Sequence, residues 1–360
     1  MGGWKTQKTV GVRLDPGTVK EAITVFTGVI DDFNEFLAAR GADPVRALRP
    51  VGSVSYVDQD FVSEPDRVYG DIDYLVSFPC DSSTTEDAGE LRRIENATKR
   101  KYEGHWVDFL TSHRPFVVDV DDTVRSTPLL TVIRLPDGRH VQVDIIITFP
   151  RYQEWMGGRY TPERRRKGLI MGHLYKSLGD VLVLSIGTEG VIARVRDGAR
   201  VPSRFRKGVS LTSVSIDIQN FLVDIARYLV GTDDLRIHPL LERYPGTDRN
   251  DVSVFNLARG ILGLGHTLAE HGIVGSGEEF SSEVADRYVV NARGELSNAK
   301  YRKASTPAQF AAIEKVRKQV ESGIRDVDSI LRCDPRSGVV SCGRILTPGD
   351  EDGQDGTASP

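Results

Sequence analysis

Cysteine is scarce in this sequence: Cys80, Cys333 and Cys342 are the three in 360 residues. They make no CxxC pair, which argues against a thiolate zinc site and a disulfide scaffold and points to thiols in a reducing, cytoplasmic compartment. No apolar run approaches the ~18–20 residues that span a bilayer. Residues 1–20 hold no long apolar segment of the secretory kind, so neither membrane insertion nor secretion is expected. Also missing are a P-loop, a nucleophile elbow, an HExxH motif and any internal repeat. Gly260, Gly263 and Gly265 do not form a dinucleotide fingerprint, because their order is wrong and no strand precedes them. What is present, 39% apolar and 27% charged residues, is ordinary globular composition with enough chain for a large core or two domains.

The net charge of −4 hides a strong asymmetry. Residues 51–90 carry ten acids against one base, whereas residues 151–210 carry thirteen bases against five acids and residues 291–325 eight against three. An acidic first half and a basic second half say more about function than their near-cancellation. The end, residues 347–360, holds Asp350, Glu351, Asp352 and Asp355, no base and no large apolar residue, and reads as a disordered acidic tail.

Periodicity organises the rest. Ala22, Val25, Phe26, Val29, Ile30, Phe33, Phe36 and Leu37 predict a helix over 18–39, with Thr18 and Glu21 as a capping box. Strands are expected over 47–54 and 69–78, then a polar helix over 85–102. A hairpin follows, pairing 129–135 with 140–149 through Pro136-Asp137-Gly138. Further helices are expected over 161–178, stopped by Gly179, and over 217–230, 254–270 and 306–331, with short strands over 181–186 and 190–195. Phe310, Ile313, Val316, Val320, Ile324 and Val327 form the apolar stripe of the last helix. His266 and His271 lack an acidic third ligand at metal spacing and read as structural.

The segments that carry chemistry are Gly52-Ser53, then Asp71-Ile72-Asp73-Tyr74-Leu75-Val76, then Val143-Asp144-Ile145. Asp71 and Asp73, two apart on a strand, share one face while Ile72, Tyr74 and Val76 take the other. Two carboxylates held side by side repel unless a cation lies between them. Asp144 stands among apolar neighbours where an unpaired charge is costly. If its strand adjoins that of Asp73, three carboxylates converge. Oxygen-only ligands of this kind suit Mg²⁺ or Mn²⁺. Gly52 permits close backbone approach to a phosphate, and Ser53 adds a hydroxyl donor.

This succession resembles the DNA polymerase β-like nucleotidyltransferase superfamily over roughly residues 15–150. The resemblance implies an α+β fold: a palm with a mixed or antiparallel sheet and flanking helices, followed by a mostly helical C-terminal domain. It implies a catalytic domain over 1–155, a nucleotide- and acceptor-binding domain over 156–346, and the tail over 347–360. Asp71 and Asp73 would hold both metal ions. Asp144 would hold the catalytic one and help deprotonate the acceptor, with Asp119, Asp121 and Asp122 as alternatives for this third position. Gly52 and Ser53 would contact the triphosphate. Lys176, on the helix after the palm, would bind its β- and γ-phosphates, against the alternative of a solvated lysine near a helix C-terminus. The spacing from Gly52 to Asp71 is longer than usual in the superfamily because of the insertion over 57–68.

The implied activity is Mg²⁺- or Mn²⁺-dependent transfer of a nucleoside monophosphate from an NTP, ATP among them, to a hydroxyl. The basic clusters Arg164–Lys167, Arg204–Lys207 and Lys300–Lys303, the latter two interleaved with aromatics, favour an RNA acceptor such as a tRNA-like 3′ end. A second nucleotide, a protein or a small molecule as acceptor, or a non-catalytic nucleic-acid-binding module with a vestigial palm, are the competing readings.

Overall fold

A computed structural model of the chain describes residues 14–54, 69–80, 88–112, 117–120, 129–156, 168–187, 190–196, 199–200, 212–216, 218, 220–243, 254–297 and 307–332. The fold is mixed α+β. In order, the elements are α1 (Pro16–Ala38), β1 (Arg46–Val51), a 3-10 turn (Gly52–Val54), β2 (Ile72–Ser77), α2 (Ala88–Ser112), β3 (Val117–Val120), β4 (Leu129–Arg134) and β5 (His140–Thr148). A second 3-10 turn (Pro150–Tyr152) leads to α3 (Gln153–Met156), α4 (Gly168–Leu182), β6 (Leu184–Gly187), β7 (Gly190–Arg196), β8 (Ala199–Arg200) and β9 (Thr212–Ile216). Helices α5 (Phe221–Val230), α6 (Pro239–Glu242), α7 (Val254–Glu270), α8 (Gly277–Leu296) and α9 (Pro307–Leu331) complete it. No helix among the described residues is long and apolar enough to cross a membrane.

The chain divides into two compact units, residues 1–224 with 245–253, and residues 225–244 with 254–360. The expected boundary at 155–156 lies inside the first unit. The tail over 347–360, the insertion over 57–68 and the three basic clusters lie outside the described residues.

The first unit is built on a five-stranded mixed sheet in the order β1-β2-β5-β4-β3. Only β2 and β5 run parallel; the other neighbours are antiparallel. The alternation along β2 and β5 explains how the sheet is used. Ile72, Tyr74, Val76, Val143, Ile145 and Ile147 all point to one face, where they join the core formed with α1 and α2. That core is aromatic: the Trp106 ring stands edge-on to Phe33 at 4.7 Å, and Phe26 lies 5.0 Å from Tyr74. Helix α2 runs a full ten residues beyond the polar stretch expected over 85–102, because Trp106, Phe109 and Leu110 bury against α1.

Helix α1 starts two residues earlier than its pattern predicts. Asp15 caps it, Oδ1 accepting from the Thr18 amide at 2.7 Å, and Pro16 begins the first turn. Thr18 and Glu21 do not form a capping box. Arg139, at the β4–β5 turn, donates to Thr18 Oγ1 at 2.5 Å and to Glu21 Oε2 at 2.9 Å, tying the helix start to the hairpin.

The remainder of the first unit carries a second, antiparallel sheet in which β7 pairs with β6, β8 and β9. The segment after β5 joins it to the rest. Trp155 Nε1 donates to the Gly187 carbonyl at 2.8 Å, and Gln153 Nε2 donates to Ser77 Oγ at 2.7 Å. Buried Glu95 on α2 forms an ion pair with Arg151, Oε1 lying 3.0 Å from Nε. Helix α4 runs through Gly179 to Leu182. A Cβ at Gly179 would lie 2.6 Å from the Leu184 carbonyl, so this glycine serves close packing and not termination.

In the second unit, α8 adds a helix beyond those expected from the sequence, and it buries Phe280, Val284, Ala285, Tyr288 and Ala292 along one side. Phe310 is 61% exposed and does not join the buried stripe of α9. His266 stacks on His238 at 4.8 Å and His271 Nε2 accepts from the Arg236 amide, as structural histidines do.

Removing the α1 cap tests this account of the helix start. Asp15→Ala is expected to cost about 1 kcal/mol, read as a fall of a few degrees in the melting temperature of the first unit. An unchanged melting temperature would show that Asp15 does not cap α1.

Candidate functional site

The face of the large sheet away from α1 and α2 carries the acidic residues. Asp73 lies at the second position of β2 and Asp144 at the fifth of β5. The parallel register of the two strands makes them direct partners, Asp73 opposite Asp144. Val51, the last residue of β1, stands opposite Asp73 on the other side. Two carboxylates therefore sit side by side between neighbouring strands, on one face.

Several contacts bring the surrounding chain to this point. Asn34 on α1 both donates to and accepts from the Val45 backbone, at 3.1 and 2.8 Å, and Tyr102 donates to the Asp43 carbonyl at 2.9 Å. These fix the entry of β1 and so the place where Gly52 emerges. Leu14 and Tyr69 exchange backbone hydrogen bonds at 3.1 and 2.8 Å, which anchors the approach to Asp71 against the start of α1.

Gly52 has φ of +64°, a conformation that side chains resist. A Cβ there would also overlap Asp73 Oδ2 and stand 3.2 Å from its Cγ. The turn Gly52–Val54 can lie against the carboxylate only because residue 52 has no side chain. Ser53 follows in the same turn; its side chain lies outside the described atoms.

Electrostatics reports the same clustering. Burial, followed by the charges of Asp71 and Asp144, pushes Asp73 up to about 7 from an ordinary 3.8. Burial also raises Asp71. A buried carboxylate that other carboxylates also face would be relieved by a cation beside it.

Asp144 is 8% exposed. It is not alone on its face: Gln142, two residues earlier, donates from Nε2 to Asp144 Oδ1 at 2.7 Å. Gln142 is a site-face residue whose sequence signal is its polarity, alternating with Asp144 between Val141 and Val143. The alternatives to Asp144 stand elsewhere. Asp119 is on β3, which borders β4 at the sheet edge and does not touch β2. Asp121 and Asp122 lie outside the described residues.

Lys176 is on α4, exposed, with Nζ 2.8 Å from Asp180 Oδ2. Among the described residues, no group of three or more His, Cys, Asp or Glu side chains is arranged to hold a metal ion. The structure thus brings together Gly52, Asp73 and Asp144, with Asp71 near enough to act on Asp73, and leaves the carboxylates aligned but not closed into a cage. An all-oxygen donor set, mutual repulsion and a backbone turn with no side chain in the way fit a hard divalent cation such as Mg²⁺ or Mn²⁺.

No family model matches the chain and no curated protein matches it. Among solved structures it is similar to polymerase beta of Leishmania infantum in a ternary P/T complex, at 13% identity and TM-score 0.34, covering 55% of this chain and 63% of that one. The same enzyme in a ternary gap complex matches at 13% identity and TM-score 0.30, covering 52% and 53%. The chain therefore spans less than two thirds of the polymerase chains it matches.

Two measurements test this geometry. Gly52→Ala is expected to lower stability by about 1–2 kcal/mol, since it adds left-handed strain to the overlap with Asp73; a neutral substitution would show that the turn does not lie against the carboxylate. The second concerns pH. With its folded value raised to about 7, Asp73 contributes stability that is present below pH ~4 and lost as pH rises through 7. In a chelator, Asp73→Asn is therefore expected to match the parent near pH 4 and to become more stable than it as pH rises through 7, read in denaturant melts at pH 4 and pH 8. A variant less stable than the parent at pH 8 would contradict the crowded site.

Proposed function

We propose that this chain is a divalent-cation-dependent nucleotidyltransferase that moves a nucleoside monophosphate from an NTP to an acceptor hydroxyl and releases pyrophosphate. The observation that carries this reading is the β2–β5 register, which sets Asp73 opposite Asp144 while Gly52 lies against Asp73.

Asp71 and Asp73 would hold both metal ions, and Asp144 would hold the one nearer the acceptor. When bound, the ions supply positive charge that eases deprotonation of the attacking hydroxyl and neutralises the departing pyrophosphate. The chain does the rest. Asp144, buried on the site face of β5, would help take the proton of the acceptor hydroxyl. The backbone of the Gly52–Val54 turn approaches the triphosphate where no side chain blocks it, and Ser53 adds its hydroxyl. Lys176 would exchange its partner Asp180 for the β- and γ-phosphates. The thirteen bases over 151–210 and eight over 291–325 support a nucleic-acid acceptor, an RNA or tRNA-like 3′ end, with ATP or another NTP as donor. The scarcity of cysteine supports a cytoplasmic place of action.

Incubation with each α-labelled NTP, Mg²⁺ and total RNA tests both class and acceptor. Label is expected on RNA ends. It is expected to fall about 10³-fold or more in Asp71→Asn, Asp73→Asn and Asp144→Asn, with unchanged circular dichroism. Label in a free product or in protein would keep the chemistry and replace the acceptor. Full activity in any of the three variants would overturn the assignment. So would salt-sensitive RNA binding with no transfer from any NTP, which would leave a binding module.

A further inference from the structure

The site face of β5 holds a second polar residue that the proposed chemistry does not by itself require. Gln142 is 2% exposed, flanked in sequence by Val141 and Val143 and paired across the sheet with fully buried Val132. An aliphatic side chain would pack there without polar atoms to satisfy. Only one end of the amide is satisfied: Nε2 donates to Asp144 Oδ1 at 2.7 Å, while Oε1 is buried with no hydrogen-bond partner among the described residues. Turning the amide over would place its carbonyl oxygen against a carboxylate. The amide is therefore oriented for Asp144, at the expense of its own carbonyl.

The choice of donor matters as much as the bond. A lysine or arginine at this position would also hold Asp144, but would cancel its charge. A neutral amide fixes the carboxylate without bringing a positive charge to Asp71, Asp73 and Asp144. From this we infer that Gln142 is a positioning residue: it holds Asp144 in the orientation that faces Asp73, and so presets the cation site without neutralising it. The inference rests on the reading of these carboxylates as a divalent-cation site. Groups that orient metal ligands in this way, one bond removed from the ion, affect affinity by about 10–100-fold.

The test uses the full chain and Mn²⁺ alone, with affinity read from the electron paramagnetic resonance of free Mn²⁺ and from the rise in melting temperature that Mn²⁺ causes. Gln142→Met keeps the volume and removes the donor. It is expected to bind Mn²⁺ about tenfold more weakly, with a smaller Mn²⁺-induced rise and a metal-free melting temperature no lower than the parent's. Parental affinity in Gln142→Met, with affinity lost in Asp144→Asn, would overturn the positioning role and leave the cation site standing. Parental affinity in both Asp73→Asn and Asp144→Asn would remove the cation site, and the inference with it. If Gln142→Met does not fold, the parent supplies the readout: the side-chain amide resonance of Gln142 is expected to shift on Mg²⁺ titration and to lose that response in Asp144→Asn. A resonance unmoved by saturating Mg²⁺ in the parent would contradict the inference.

Discussion

The parallel pairing of β2 with β5 is the constraint on which the site depends. It is the single parallel contact in a sheet otherwise antiparallel, and its register sets Asp73 opposite Asp144. A slip of one residue would turn either carboxylate into the aromatic core. What prevents the slip is the other face of the same strands. Ile72, Tyr74, Val76, Val143, Ile145 and Ile147 are all buried under α1 and α2, so the apolar alternation that stabilises the fold also places the charges. The repulsion between the carboxylates is thus imposed by packing energy gained elsewhere.

The groups around the pair act on that repulsion in different ways. Gly52 contributes by having no side chain, which leaves backbone against Asp73. Gln142 contributes a hydrogen bond without charge. Asp71 adds to the negative potential instead of relieving it. Neither Gly52 nor Gln142 brings a positive charge to the carboxylates, and a crowded carboxylate cluster is suited to a cation and to the phosphates a cation carries.

Much of this was legible in the sequence, for identifiable reasons. Helix α7 matched its expected bounds because its apolar positions recur cleanly over seventeen residues. The β4–β5 hairpin was marked by its Pro-Asp-Gly turn, Asp73 and Asp144 by strand alternation and Gly52 by residue type, whereas Asp71 lies just before β2 and not on it. Other features depend on tertiary contacts that a linear pattern does not display. The length of α2 is decided by Trp106 and Phe109 meeting α1, the capping of α1 by Arg139 drawing Thr18 and Glu21 away, and the course of α4 through Gly179 by the Leu184 carbonyl. Gln142 shows the same limit in the site. Its polarity was visible, but its bond to Asp144 needed the strand's burial to acquire meaning.

The proposed function requires that the β2–β5 register build a divalent-cation site. The most direct measurement is anomalous diffraction from crystals grown with Mn²⁺ and a non-hydrolysable NTP analogue. Mn²⁺ peaks bound by Asp73, one of them shared with Asp144, are expected, with the analogue's phosphates against the Gly52–Val54 turn. Phosphates and Mn²⁺ bound elsewhere, with Asp73 and Asp144 touching neither, would contradict it.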